Sequence, residues 1–287
     1  MTRRAGLAAG AVAWLSGCSG AGVLNAVAGN DHQGRQGVAY GPDPRHRLDV
    51  YQPAPGARPA TPPIVVFFYG GSWSKGERAD YSFVGEALAS AGAIVVIADY
   101  RLSPAVRYPV FVEDSALAVK WAFDHAAELG GSAANVQVMG HSAGGYNAAM
   151  VALDRRWLDG AGLARGRKLA GFIGLAGPYD FLPIENRETQ VAFRWPDTAP
   201  ETQPIVHVTR DAPRTLLLAA AKDDLVNPQR NTVGLGEKLK SAGVPTQVAL
   251  YPRVNHVTLL AALAQPLRWL APVRSEVLAF LGLAAAR

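Results

Sequence analysis

A single cysteine, Cys18, is all the thiol these 287 residues contain, so no intramolecular disulfide can brace the fold. Stability must come from a core, and a hydrophobic fraction of 49% supplies one. Charge is scarce and nearly balanced, at 28 basic against 23 acidic residues, with no block of either sign. Of the formal +5, Arg3 and Arg4 contribute two charges in a terminal segment that has no acids. A nucleic-acid interface needs a basic patch or stripe. The one local cluster, Arg155, Arg156, Arg165, Arg167 and Lys168, reads as solvated surface rather than as an anion or membrane site. No residues show metal-ligand spacing, and Ser142 stands where a phosphate loop would need lysine, so no metal, nucleotide or other cofactor is implied. No repeat is apparent.

The amino-terminal residues form a unit of their own. Thr2-Arg3-Arg4 is a short positive region, and the apolar run Ala5–Leu15 is too short to span a bilayer comfortably. It ends in Leu15-Ser16-Gly17-Cys18, which resembles the lipobox of bacterial lipoproteins. That resemblance implies a signal peptide over 1–17, lipidation of Cys18, and an exported protein anchored in the cell envelope, facing the periplasm or the outer surface. Residues 18–36, rich in Gly, Ala and polar side chains, read as a loose tether with His32 exposed. Residues 37–287 are expected to form one domain.

Within that domain, apolar runs alternate with helical patterns. Arg47–Tyr51 reads as a short alternating strand, preceded by His46, which has no partner in sequence. Gln52–Pro63 carries five prolines and cannot join a ladder. Continuous apolar strands are expected at 64–69, 93–98, 135–140, 170–175, 214–221 and 245–251, with helices at 80–91, 109–129, 231–242 and 272–283. Residues 181–211 show little periodicity and read as an insertion over the edge of the sheet. Strands alternating with helices imply an α/β fold, a mostly parallel central sheet with helices on both faces.

The chain is organised around Val136–Ala149. Alternating apolar residues run through Gly140-His141-Ser142-Ala143-Gly144 into an Ala-rich helical segment, the strand–turn–helix setting of a nucleophile elbow. A serine in so sharp a turn needs neighbours without bulk, and Gly140 and Gly144 provide them. A free hydroxyl is a poor nucleophile and needs a base. His256 follows the last strand and can reach back. A carboxylate must fix its tautomer, and Asp223 and Asp224 are both candidates, with Asp180 a lesser rival. The order Ser, Asp, His suits a hydrolytic triad.

Tyr69-Gly70-Gly71-Ser72-Trp73, Asp99-Tyr100-Arg101-Leu102-Ser103-Pro104, Gly140–Gly145, Lys222-Asp223-Asp224-Leu225-Val226 and Asn255-His256 occur in that order. From about Arg47 onward the chain therefore resembles the α/β-hydrolase superfamily, closest to carboxylesterases of the hormone-sensitive-lipase-like and feruloyl-esterase-like groups. The resemblance picks Asp223, three residues before Val226, as the acid. It also implies an oxyanion hole from the amides of Gly71, Ser72 and Ala143, although the usual His-Gly-Gly-Gly here begins with Tyr69 and ends with Ser72. The implied activity is serine-dependent hydrolysis of carboxylic esters through an acyl-enzyme, with short or compact acyl groups because the insertion is modest. An amide or formamide hydrolase resembling arylformamidases is the alternative among enzymes. A surface-attached binding protein on the same fold is the alternative outside them.

The remaining candidates have simpler readings. His141 should pack beside the elbow and point away from Ser142, His125 should lie on a helix surface, and His207 on the surface or a pocket rim. Asp99, Arg101 and Asp114 could form an ion pair bracing the oxyanion loop. Trp73, Tyr179, Phe181 and Trp195, with Phe193, are candidate walls of a substrate pocket. For these aromatics, core packing is the competing role.

Overall fold

A computed structural model describes residues 17–32, 34–56 and 58–283. The expected signal peptide lies, up to Ser16, outside the described residues, as does the Cys18 side chain. The strands are β1 (Val38–Ala39), β2 (Arg47–Tyr51), β3 (Ile64–Phe68), β4 (Ile94–Ala98), β5 (Val136–His141), β6 (Gly171–Leu175), β7 (Thr215–Ala220) and β8 (Thr246–Tyr251). They form one sheet in the order β1-β2-β4-β3-β5-β6-β7-β8. β1 with β2 and β2 with β4 run antiparallel, and every other neighbour pair is parallel.

The parallel strands read as continuous apolar runs because they are covered on both faces. All five residues of β3, and all of β4, β6 and β7, are buried. The helices are α1 (Gly17–Ala28), α2 (Ser82–Ala89), α3 (Val110–Asp124), α4 (Ala143–Leu153), α5 (Arg155–Gly160), α6 (Arg187–Phe193), α7 (Gly234–Ser241), α8 (His256–Ala261) and α9 (Val273–Leu281). From β3 the chain steps to β4 on one side and then, past β3, to β5, β6 and β7 on the other. With right-handed crossovers that reversal puts α2 on one face and α3 and α4 on the opposite one. α9 returns to pack beside α2, where Arg274 Nε donates to the Ala87 carbonyl at 2.9 Å. The reversal also opens a crevice beyond the carboxyl ends of β3 and β5, where α/β sheets place their functional groups.

Three local expectations are corrected. Residues 17–28 are helical rather than a loose tether, and α1 is bonded to the body. Asn25 Nδ2 donates to the Ala79 carbonyl at 2.9 Å, and Asn25 Oδ1 accepts from Phe83 N at 3.0 Å. His32 is no bystander, for its Nδ1 lies 2.9 Å from the buried Glu86 carboxylate. β2 does not alternate, since Leu48 through Tyr51 are all buried. Asp49 tolerates this by accepting from Arg78 Nε at 2.8 Å and Gly37 N at 2.7 Å. Among the described residues no helix is long and apolar enough to cross a membrane.

Candidate active site

β5 stops at His141, and Ser142 turns the chain into α4 with φ 54° and ψ −125°. A non-glycine residue with positive φ is strained and persists only where its surroundings fix it. Ser142 N donates to the Leu175 carbonyl of β6 at 2.9 Å, and Tyr146 N donates back to the Ser142 carbonyl at 3.1 Å. The flanking glycines are a matter of space. A Cβ on Gly140 would stand 2.1 Å from the Gly144 oxygen, and one on Gly144 would stand 2.1 Å from the Phe68 oxygen. No larger residue fits either place.

The candidate base, His256, and the candidate acid, Asp223, arrive from the ends of β8 and β7. Asp223 is buried, whereas Asp224 is exposed. Asp223 Oδ2 lies 2.7 Å from His256 Nδ1, and His256 Nε2 lies 2.8 Å from Ser142 Oγ. A carboxylate only accepts, so Nδ1 carries the hydrogen and Nε2 is left to accept from the serine hydroxyl. Asp223 Oδ1 takes the amides of Leu225 and Val226, each at 2.9 Å. Burial alone would raise this carboxyl, but His256 and those two amides outweigh it and hold its pKa below the usual range. Asp180, the lesser rival, has its carboxylate paired with Arg230 at 2.8 Å instead.

After β3 the chain makes the glycine turn. Gly71, Ser72 and Trp73 have φ of 122°, 50° and 57°. A Cβ on Gly70 would come within 2.9 Å of the Ser142 Cβ, so this backbone passes directly against Ser142. Among the described residues, the amides of Gly71, Ser72 and Ala143 have no protein acceptor. The turn is braced by charge, though not by the trio expected. Asp99 accepts from Tyr69 Oη at 2.8 Å, from Arg78 N at 2.7 Å and from Arg78 Nη1 at 2.6 Å. Arg101 pairs with Asp114 at 2.6 Å as a separate unit. That unit also holds His46, whose Nε2 donates to Asp114 at 2.9 Å while Nδ1 accepts from Asp43 N.

The aromatic candidates divide. Trp73 is 2% exposed, donates Nε1 to Asn147 Oδ1 at 2.9 Å, and sits among Phe111, Tyr146, Phe181 and Phe193 at centroid distances of 5.7, 5.2, 6.2 and 4.8 Å. It is core. Tyr179 is fully buried with its ring against Phe172, Gly174 and Gly177, so it packs the sheet rather than lining a pocket. Phe193 is likewise buried, on α6 of the insertion. Phe181 and Trp195 remain partly exposed.

Sequence reasoning missed some couplings between distant residues. Asn231 Oδ1 accepts both Tyr179 N at 2.6 Å and Asp180 N at 2.8 Å, and so ties the exit of β6 to the loop beyond Asp223. His141 Nε2 reaches the His256 carbonyl at 2.9 Å. His125 stacks on Trp121 at 4.2 Å. His207 lines a cleft of about 830 Å³ with Arg165 and Lys168, formed by segments that precede β6 and β7 and so apart from the triad. Of the basic cluster, Arg155, Arg156 and Arg167 are paired with Asp159, Asp154 and Asp124. Among the described residues no group of three or more His, Cys, Asp and Glu is placed to hold a metal.

The chain is similar to several known proteins. The chain is 27% identical to the probable isoprenylcysteine alpha-carbonyl methylesterase ICMEL1 of Arabidopsis thaliana over 82% of its own length and 52% of that protein. It is 28% identical to esterase LipC of Mycobacterium tuberculosis over 72% of its length and 55% of that protein. It thus spans about half the length of these curated relatives. A solved esterase of Pyrobaculum calidifontis superposes with a TM-score of 0.70 at 24% identity, covering 92% of this chain and 90% of that one. The fold is therefore the α/β-hydrolase fold. Residues 48–239, most of the sheet together with the elbow, the glycine turn and Asp223, match the BD-FAE family model, and the chain belongs to the BD-FAE family.

Proposed function

We propose that the protein is a serine-dependent hydrolase of carboxylic esters. The observation that carries this reading is the hydrogen-bonded row from Asp223 through His256 to Ser142, at 2.7 and 2.8 Å. Ser142 Oγ attacks the ester carbonyl carbon while its proton passes to His256 Nε2. Asp223 holds the imidazole in the accepting tautomer and stabilises the imidazolium that forms. The negative charge on the former carbonyl oxygen meets the free amides of Gly71, Ser72 and Ala143, each such donor being worth roughly 3 kcal/mol in the transition state. The tetrahedral centre collapses, the C–O bond breaks, and the alcohol leaves with the proton from His256. Water, deprotonated by the same imidazole, then releases the acid and restores the serine.

Short or compact acyl groups suit the site best. The insertion is modest in length and places Phe193 in the packed cluster around Trp73. The curated relatives' names, which are those of esterases, favour an ester over an amide substrate. The signal segment and Cys18 support export and lipid anchoring in a bacterial envelope, and Cys18→Ser should move the protein from the membrane to the soluble fraction.

A fluorophosphonate probe tests the chemistry. It should label the wild type and not Ser142→Ala, and nitrophenyl esters should turn over fastest with short acyl chains. A peak at long chains would overturn the size assignment. Equal turnover of an aryl formamide and an aryl acetate would favour the formamidase alternative. An unlabelled, inactive wild type would leave a binding protein on a hydrolase fold.

A further inference from the structure

His141 has no part in the proton relay, yet it is buried at the centre of the site. Its Nε2 faces the His256 carbonyl oxygen at 2.9 Å, and a carbonyl only accepts, so Nε2 carries the hydrogen and Nδ1 is bare. The two imidazoles lie 4.9 Å apart, tilted by 46°. On another side the ring meets the glycine turn, where a Cβ on Gly70 would fall 3.3 Å from Nδ1. His141 therefore touches the elbow it belongs to, the backbone of the base, and the turn that presents the amides. Burial, with the neighbouring His256 adding to it, lowers its pKa to about 3. It stays neutral, with one fixed donor, at any ordinary working pH.

The base needs such a tie. His256 is delivered by a connection in which Pro252, Arg253 and Asn255 are exposed, and Val257 beyond it is exposed too. Asn255 caps α8 through Val257 N and Thr258 N, bonds that hold the helix to itself and not to the elbow. Asp223 holds the ring but not the main chain. Among the described residues, the hydrogen bond between the backbone of His256 and the nucleophile's own strand is the one from His141.

We propose that His141 is a positioning residue for the base: by holding the His256 carbonyl it sets the distance from the imidazole to the serine oxygen. This rests on the ester-hydrolase reading and goes beyond it. A misplacement of about 1 Å in such an arrangement costs on the order of 100-fold in rate.

The test compares His141→Leu, which removes the donor, with His141→Gln, whose amide nitrogen reaches about as far as Nε2. On a nitrophenyl acetate the Leu variant should lose about ten- to a hundredfold in kcat with KM changed less than about twofold, and its fluorophosphonate labelling should slow in parallel. The Gln variant should recover most of both. A folded Leu variant with wild-type kcat, or a Gln variant as slow as Leu at equal melting temperature, overturns the proposal. Should the Leu variant not fold, nitrogen NMR of the wild type decides. Nε2-protonated, neutral His141 from about pH 5 to 8 is expected, and the other tautomer or a titration in that range overturns it. A wild type that the probe does not label at Ser142 sinks the hydrolase reading instead, and the positioning role with it.

Discussion

Tyr69 donates its phenolic hydrogen to Asp99 Oδ1 at 2.8 Å, which joins the exit of β3 to the exit of β4 directly beneath the glycine turn. Arg45 Nη2 closes the arrangement, donating to the Tyr69 oxygen at 2.8 Å and to the Gly76 carbonyl at 3.0 Å. Burial pushes the Tyr69 phenol well above its usual pKa, so it remains a donor. A phenol bonded to Asp99 gives the first position of the glycine turn an anchor of its own. Tyr69→Phe leaves a buried carboxylate short of one donor. It should lose about 1–3 kcal/mol in urea unfolding, together with a lower kcat as the turn loosens. Unchanged values of both would show that the turn is held by other contacts.

The two adjacent acids separate cleanly. Asp223→Asn should cost on the order of 10⁴-fold in kcat, because the imidazole loses the partner that fixes its tautomer. Asp224→Asn, at an exposed side chain, should leave kcat within about twofold. Steady-state rates on one nitrophenyl ester are sufficient, and the reverse ranking would reassign the acid.

Gly70→Ala tests how closely the glycine turn approaches the nucleophile. The new methyl would meet the Ser142 Cβ at 2.9 Å and the His141 carbonyl oxygen at 3.2 Å, so the turn must shift. A large loss of kcat with a modest loss of stability is expected. Gly144→Ala, whose methyl would meet backbone at 2.1 Å, should not yield folded protein. Soluble yield, melting temperature and kcat distinguish the two.

Acid should weaken the fold in a defined window. His141 has a pKa of about 3 in the folded chain against an ordinary 6.5, so between those values the unfolded chain binds a proton that the fold refuses. Its contribution is complete above about pH 6.5 and is lost as pH falls, at roughly 1.4 kcal/mol per unit from this one group. Asp223, with its folded pKa depressed, adds a loss of the same sign at still lower pH. Urea midpoints measured from pH 7 to pH 4.5 should fall, and less steeply in His141→Gln. Equal slopes would remove His141 from the account.

What the sequence made legible follows from how local each constraint is. Fully buried strands must be continuous apolar runs, so β3, β4 and β7 declared themselves, and Gly140 and Gly144 marked a turn that admits no side chain. The partners of buried charges were not legible. Asp114 meets His46 across 68 residues, and Asp99 chose Arg78 over the nearer Arg101, choices set by sheet order that no spacing encodes. α1 was missed because its Gly- and Ala-rich stretch has no strong amphipathic pattern. Its place is set by tertiary bonds at Asn25, made 54 and 58 residues away. Whether Trp73 and Tyr179 line a pocket or pack the core was not legible, because an aromatic near a site looks the same in sequence whether it faces substrate or neighbours.

The seating of α1 on the body bears on how the protein would meet its surroundings. Asn25 lies within about two helical turns of Cys18, roughly 10 Å along the axis. The acyl anchor proposed for that cysteine would leave little slack between lipid and body. With the lipid proposed for Cys18, the folded body would be held near the membrane surface by a short helical link instead of a long flexible one.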